Sequence, residues 1–176
     1  MSTDAIVMLR EDHRRMRRLI RAYRTSRGAA GPERAEDPAA DTDGAGEIVT
    51  EFLHELTVHA FVENEVVYPR VRLLAPDTTP LILEFREQHH VAEVLAGELA
   101  DLSPGDEAYA AKARVLMDLV GRHMDAEEEA WFPQVRRELG RTVLQAVGTR
   151  MAEVRERAPQ RPKRPLLHKI SDAIAA

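Results

Sequence analysis

Two segments of this chain repeat each other, and their spacing constrains the fold more than any other feature. The first, HAFVENEVVYP, begins at His59, and the second, HMDAEEEAWFP, begins at His123. Each contains a His, a Glu four residues later, a further Glu after two more residues, and an aromatic residue followed by Pro. Residues four apart on an α-helix lie on the same face, about 5–6 Å apart at Cβ. The repeat therefore predicts two helices that each present a His and a Glu together: His59 with Glu63, and His123 with Glu127.

Both His/Glu pairs lie on apolar stripes. His59 follows Leu56 by three residues and precedes Val66 by seven, while His123 follows Leu116 by seven. A carboxylate on a core-facing stripe is costly unless it is paired or bound to a metal. Two inward carboxylates, each with an imidazole, form the ligand set of a dinuclear metal site in a helical bundle. The alternative is a bundle with exposed His–Glu ion pairs.

The apolar periodicity predicts four long helices, at about 3–27, 47–69, 81–101 and 106–131, and a shorter one at 142–157. Residues 28–46 are rich in Gly, Pro, Ala and Asp and are predicted to form a mobile loop. We therefore expect an all-α fold: an up-down-up-down four-helix bundle with an extra short C-terminal helix and tail. The predicted division places the bundle in residues 1–139. Residues 140–176 are predicted to hold the short helix, a basic Pro-rich linker and an amphipathic tail.

The first helix offers a third histidine. His13 lies between Leu9 and Met16 on the apolar stripe. At about 1.5 Å per residue, it lies roughly 21 Å before the end of its helix, and His59 lies roughly 18 Å after the next helix begins. The two imidazoles are therefore predicted at similar depth in the bundle.

The third helix contains two adjacent histidines, His89 and His90. His89 follows Phe85 by four residues and precedes Ala92 by three, so we expect it to face the core. His90 stays an additional candidate ligand. Each of the four long helices then contributes one inward imidazole.

Composition narrows the chemistry. The chain has seven histidines and no cysteine, which excludes disulfides, thiolate zinc sites, iron–sulfur clusters and thiol catalysis. No apolar run approaches the roughly 20 residues of a membrane span. The N-terminal residues lack the layout of a signal peptide, so a cytoplasmic protein is expected.

Charge argues against a nucleic-acid partner. The formal net charge is −5, although the first helix is rich in Arg. We expect those arginines to pair with acidic neighbours such as Glu47, Glu51 and Glu55. No Gly-rich phosphate loop is present.

The order of these residues resembles the hemerythrin-like, or HHE cation-binding, domain family. The doubled His-x-x-x-Glu, the trailing Tyr68-Pro69 and Phe132-Pro133 pairs, and Gln88 before His89 carry the resemblance. It implies a four-helix bundle holding two iron ions in an oxo- or hydroxo-bridged non-haem centre, in which zinc or manganese could substitute for iron. It also implies that the four histidines would be terminal ligands and that the two glutamates would bridge the irons. The implied ligands are His13, His59, Glu63, His89, His123 and Glu127.

At two positions the sequence differs from the oxygen-carrying hemerythrins, and these differences limit the resemblance to one branch of the family. Four residues beyond His89, where those carriers have a fifth histidine, this chain has Glu93. The fourth-helix carboxylate is Glu127, where the carriers have an Asp at a longer spacing. The resemblance therefore implies the branch with four His and two Glu, whose members are linked to peroxide breakdown, nitric-oxide or oxygen handling, and iron-centre repair. Glu93 is an additional candidate ligand or base, and Tyr68 and Trp131 are expected to pack over the centre.

The expected function is that of a di-iron protein that binds or reacts with a small oxidant: O₂, peroxide or NO. Four His and two bridging carboxylates leave one open position on each six-coordinate iron after an oxygen bridge is counted. The alternatives are a catalase-like peroxide-decomposing enzyme and, from another class, a metal-stabilised helical interaction module or iron-handling protein.

Overall fold

A computed structural model of the chain describes residues 3–29 and 42–162. Within those ranges it contains six α-helices and no β-strand. The helices are α1 (Ala5–Ala29), α2 (Thr42–Val62), α3 (Tyr68–Leu74), α4 (Thr79–Ala100), α5 (Tyr109–Ala126) and α6 (Phe132–Arg155). Two π-helical turns, Glu63–Val67 and Glu127–Trp131, join α2 to α3 and α5 to α6, and a 3₁₀ turn, Pro76–Thr78, precedes α4. The predicted all-α four-helix bundle is confirmed, its four rods being α1, α2–α3, α4 and α5–α6.

The π turns arise from the repeated sequence. The backbone N–H of Tyr68 donates to the carbonyl of Glu63, and that of Phe132 donates to the carbonyl of Glu127, five residues back instead of four. Pro69 and Pro133 follow directly and have no N–H to donate, so the regular hydrogen-bond ladder cannot continue through them. Both repeats thus contain the same local widening, and in each repeat it begins at the Glu.

The apolar core forms two layers along the bundle, with a polar layer between them. The layer on one side contains buried residues from every rod: Leu9, Val62, Phe85 and Trp131. The layer on the other side does as well: Met16, Leu56, Ala92 and Val120. The predicted inward histidines lie in sequence between these two sets, which places them at one level of the bundle.

Helix α6 is kinked at Gly140, where φ is +67°. Beyond the kink, Gly148 lies beside Thr3, so close that a Cβ would be 1.8 Å from the Thr3 carbonyl oxygen. Further along, Arg155 reaches Asp12, so residues 141–155 run beside α1 in the same direction. This segment is the predicted extra helix. Its apolar side chains join the same core layer as the start of α1, so the core continues across the predicted division at residue 139.

The helix boundaries on both sides of the predicted loop differ from the prediction. Helix α1 extends to Ala29, and α2 begins at Thr42, so the predicted loop at 28–46 is shorter at both ends. Gly46 lies in α2 because its lack of a side chain allows close packing: a Cβ there would be 2.9 Å from Pro104 Cγ. Residues 30–41 of the predicted loop, and the tail from residue 163, lie outside the described residues. None of the described helices has the length and apolar character that crossing a membrane requires.

Candidate metal centre

The polar layer of the bundle consists of six buried side chains. Each is at most 5% exposed. Four are imidazoles, one from each rod, and two are carboxylates from the first position of each π turn. They are His13, His59, Glu63, His89, His123 and Glu127, the six residues singled out from the sequence.

Glu63 lies between two histidines of different helices. Its Oε2 is 3.2 Å from Nε2 of His59, which belongs to the same repeat, and 3.3 Å from Nε2 of His89 on α4. Burial alone would raise the pKa of Glu63. Attraction to His59 and close contacts with both imidazoles instead hold that pKa well below its ordinary value.

Glu127 occupies the equivalent place in the second repeat. Its Oε2 is 3.3 Å from Nε2 of His13 on α1 and 3.5 Å from Nε2 of His123 in the same repeat. The Nε2 atoms of His89 and His123 are 3.1 Å apart. Each carboxylate therefore connects one imidazole of its own repeat to one from another rod.

The ligand-type atoms form two overlapping groups, each spanning no more than 4.8 Å between atoms. One group contains His13, His59, Glu63 and Glu127, and the other contains Glu63, His89 and His123. Glu63 belongs to both groups. This arrangement has room for two cations at neighbouring positions with a shared carboxylate.

Several of these buried atoms have no hydrogen-bond partner in the described part of the chain. They are Nε2 of His13 and His59, Oε1 of Glu63 and Oε2 of Glu127. Buried polar atoms are nearly always satisfied, so a set of unpaired atoms in one place indicates a missing ligand. Imidazole nitrogen with carboxylate oxygen suits iron, zinc and manganese. The residues present therefore fit a metal pair.

In the metal-free cluster, burial and neighbouring charges shift the pKa values of three histidines in different directions. Burial would lower the pKa of His59, but Glu63 and Asp12 raise it to about 10. The pKa of His13 is also raised, against burial, by its contact with Glu127 and its hydrogen bond to Glu128. Burial lowers the pKa of His123 to about 4. Without metal, a protonated His59 thus balances the charge of buried Glu63, and that proton must leave when a cation binds.

Three of the imidazoles are also held from behind, through Nδ1. The partners are Asp12 Oδ2 for His59 at 3.5 Å, Glu128 Oε1 for His13 at 2.8 Å, and Gln88 Oε1 for His123 at 2.8 Å. Each partner is the sequence neighbour of a site residue but supports a histidine on a different rod. Sequence reasoning missed these roles. The signal that could have found them is a polar residue directly beside each ligand candidate, which a helix turns toward the adjacent rod.

Arginines lie behind two of these partners. Arg17 donates to Glu128 Oε1 at 2.6 Å, and Arg155 donates to Asp12 Oδ1 at 2.9 Å. Together, His13 and Arg17 lower the pKa of Glu128 to about 2. Of the acidic neighbours predicted for the Arg-rich helix, Glu55 pairs with an α1 arginine, Arg15, at 3.1 Å. Part of the basic face of α1 therefore supports the polar layer.

Aromatic rings enclose the cluster. The hydroxyl of Tyr68 donates to Glu127 Oε1 at 2.9 Å and lies 3.2 Å from Glu63 Oε2. Burial and the two carboxylates raise the pKa of Tyr68 well above its ordinary value, so the phenol stays protonated. Trp131, fully buried, packs edge-on against Tyr68 with ring centroids 5.4 Å apart. Phe132, the counterpart of Tyr68 in the repeat, stacks on His13 at 5.6 Å.

The two additional candidates lie outside the cluster. His90 and Glu93 are both exposed, and neither belongs to the two ligand groups found among the described residues. Both line an open groove beside His89. Of the adjacent pair on α4, it is His89 that the structure brings into the polar layer.

Two sequence comparisons relate the chain to known proteins. The family model described as the hemerythrin HHE cation binding domain matches residues 4–135. A DNA nickase from Nostoc sp. (strain PCC 7120 / SAG 25.82 / UTEX 2576) is 30% identical over 109 residues, which cover 61% of this chain and 30% of that protein. The chain thus spans less than a third of that relative.

Among solved structures, a hemerythrin HHE cation binding domain-containing protein from Mycobacterium kansasii superimposes with a TM-score of 0.65. The match covers 88% of this chain and 86% of that one, at 20% identity. At that identity the likeness concerns the fold alone.

Proposed function

Because this chain belongs to the hemerythrin HHE cation-binding domain family, we propose that it holds a pair of iron ions and binds or reacts with a small oxidant: O₂, peroxide or NO. One observation carries the proposal. Each of the two buried carboxylates lies within 3.5 Å of imidazole nitrogens from two different rods. A carboxylate in that position can bridge two cations, which surface ion pairs could not do.

The proposed roles follow from the distances. One ion would be held by His13 and His59 and the other by His89 and His123, with Glu63 and Glu127 as the carboxylates available to both. All four imidazoles face the shared carboxylates through Nε2, and three of them are oriented from behind through Nδ1. Such outer contacts fix the ring orientation of a metal-bound histidine.

A bound iron pair would supply redox chemistry and an open coordination position for a small ligand. The protein's own residues prepare that position. Tyr68 keeps its proton and directs it at both carboxylates. The surrounding aromatic rings are almost fully buried and exclude water, which strengthens every electrostatic interaction inside.

The first experiment measures metal content. Protein reconstituted anaerobically with Fe(II) and desalted is expected to retain two irons per chain. His89→Ala should retain one or none, whereas the neighbouring exposed His90→Ala should match the wild type. Wild-type protein that retains no iron would refute the proposed function.

The second experiment identifies the ligand class. The reduced, iron-loaded protein is exposed separately to O₂, H₂O₂ and NO while visible absorption is followed. At least one should change the spectrum stoichiometrically, and continued O₂ evolution from H₂O₂ would identify a peroxide-decomposing enzyme instead of a binding protein. An unchanged spectrum with all three would rule out an oxidant-handling role.

A further inference from the structure

One of the four site histidines has no support at its outer nitrogen. Nδ1 of His89 is buried and has neither a hydrogen-bond partner nor a carboxylate contact in residues 3–29 and 42–162, whereas Nδ1 of His59, also without a hydrogen bond, lies 3.5 Å from Asp12 Oδ2. The sequence repeat shows where its partner would be. Glu128 supports His13 from behind, and the residue at the same position of the first repeat is Asn64. Asn64 does not hydrogen-bond to Nδ1 of His89. It lines a cavity beside His89 instead.

That space is a cavity of about 150 Å³ between α2 and α4. His89 forms part of its wall, and no other member of the six-residue site lines it. Most of the remaining wall is apolar. The apolar lining residues are Leu56, Ala60, Phe61, Ala92, Ala96, Pro159 and Pro162. An apolar cavity of this order holds a molecule up to the size of benzene, so a diatomic gas or peroxide fits and a larger substrate does not.

The segment after α6 closes one end of the cavity. Pro159 and Pro162 contribute to the wall, and the preceding Ala158 is buried. Nδ1 of His54 on α2 lies 3.2 Å from the carbonyl oxygen of Gln160. This end is therefore held shut by contacts between α2 and the C-terminal segment.

The other end continues into an open groove on the surface. The groove shares Asn64, His89 and Glu93 with the cavity and adds Glu87 and Arg86. Glu65 also lines the cavity, so three carboxylates and one guanidinium surround the path. Negative charge around the entrance repels anions and leaves neutral molecules unaffected.

The opposite half of the cluster is closed. His13 is fully buried, its outer nitrogen is bonded to Glu128, and Phe132 stacks on its ring. His59, 1% exposed, lies edge-on against His13 with ring centroids 4.9 Å apart. Access to the polar layer is thus asymmetric, even though the two repeats that build it are alike.

We propose that the cavity is the route by which a small neutral molecule, such as O₂, NO or H₂O₂, reaches the His89–His123 half of the metal pair, and that the acidic entrance disfavours anions. The proposal rests on the proposed function, because it needs a metal pair behind His89. The proposal states that the ligand enters beside His89 and that a neutral ligand is favoured. It also gives the C-terminal segment the role of the cavity's outer wall.

The first test does not depend on bound metal. Crystals of the protein as purified are pressurised with xenon, which occupies dry apolar cavities. We expect a xenon site beside His89 between α2 and α4. Ala96→Leu, which fills the cavity, should abolish it, whereas Ala146→Leu, the same change in an exposed groove away from the site, should retain it. No xenon in the wild-type cavity would overturn the proposal.

The second test measures entry to the metal. Stopped-flow mixing of reduced, iron-loaded protein with NO should be about tenfold slower in Ala96→Leu than in the wild type, because a packed interior offers no comparable second path. The final spectrum should be unchanged. If Ala96→Leu does not fold, Thr57→Met, another change in the cavity wall, replaces it. Ala146→Leu should react at the wild-type rate. An unaltered rate in a folded cavity-filling variant would overturn the route.

The entrance is tested with an anion. Glu93→Gln should speed azide binding by several-fold, within the range of electrostatic effects on association, while leaving the NO rate unchanged. Equal effects on both probes would refute charge selection. If the wild-type protein retains no iron, the proposed function fails, and the xenon result alone decides whether the cavity admits small apolar molecules.

Discussion

Arg155 donates hydrogen bonds to both carboxylate oxygens of Asp12, and Asp12 Oδ2 lies 3.5 Å from Nδ1 of His59. Arg155 ends the helix beyond the Gly140 kink, Asp12 belongs to α1, and His59 belongs to α2. The chain of contacts therefore connects the C-terminal helix to the metal-facing imidazole through a buried carboxylate.

Replacing Arg155 should weaken metal binding without removing a ligand. In Arg155→Ala, Asp12 keeps its contact with Arg15 but loses both hydrogen bonds from Arg155, including the one to Oδ2, the oxygen that faces His59. Loss of such an outer contact lowers metal affinity by about 10- to 100-fold. Competition with a chromophoric chelator measures the change, and the exposed Arg157→Ala is the matched control. Equal affinities of the two variants would contradict the positioning role.

Glu63 and Glu65 provide a matched pair within one repeat. Glu63 is fully buried between two imidazoles, and Glu65, two residues later, is exposed. Glu63→Gln keeps the size and removes the charge that a bridge needs, so iron content should fall from two per chain to one or none. Glu65→Gln should retain two. Plasma emission analysis after anaerobic reconstitution measures the iron content per chain. Full iron content in Glu63→Gln would exclude a bridging role.

Tyr68→Phe tests the hydrogen bonds to the two carboxylates. The variant leaves Glu127 Oε1 without its donor in a buried site and removes the hydroxyl contact with Glu63 Oε2, which keeps its contacts with His59 and His89. A hydrogen bond to a charged group contributes about 1.5–3 kcal/mol, so the metal-free protein should lose stability of that order in urea unfolding. Tyr23→Phe, also buried but making no such contact with the cluster, should cost clearly less. Equal losses would show that Tyr68 acts only through packing.

Metal affinity should increase with pH. In the metal-free protein the pKa of His59 is about 10, compared with an ordinary 6.5, so between these values the imidazole keeps a proton that a metal must displace. Affinity should therefore rise toward pH 10, by about tenfold per pH unit for each proton displaced. His123, with a pKa of about 4, is already neutral and adds no proton in this range.

The same shift affects the stability of the metal-free protein in the opposite direction. A raised pKa means that the stabilisation is fully present below pH 6.5 and is lost as the pH rises through 10. Chelator competition and urea unfolding across this window measure the two trends. A pH-independent metal affinity would show that His59 is not protonated in the metal-free state.

Replacing Gly140 tests whether the kink in α6 requires a glycine. Its φ of +67° with ψ of 175° is a conformation available essentially to glycine, so Gly140→Ala should cost about 1–3 kcal/mol. Gly121 lies in α5, and a Cβ there meets no atom within 4 Å, so Gly121→Ala should stabilise by about 0.5–1 kcal/mol. Urea unfolding compares the two. Equal effects would mean that the kink is not required for docking the C-terminal helix.

Much of the candidate site follows from local sequence. The four-residue spacing places His59 beside Glu63 and His123 beside Glu127 because helix geometry sets which residues share a face. The apolar neighbours of His13 and His89 predict their burial for the same reason. The proline after each repeat adds the π turn, which is also a local effect.

Only the tertiary structure determined which side chains of different rods are in contact. Glu63 reaches His89 and Glu127 reaches His13 because of the rotation and axial shift of each helix, which depend on packing across the whole core. The supports from Asp12, Glu128 and Gln88, the link to Arg155 and the open side at His89 have the same origin. Sequence spacing therefore determined which residues could be ligands, whereas packing between the helices determined which of them meet.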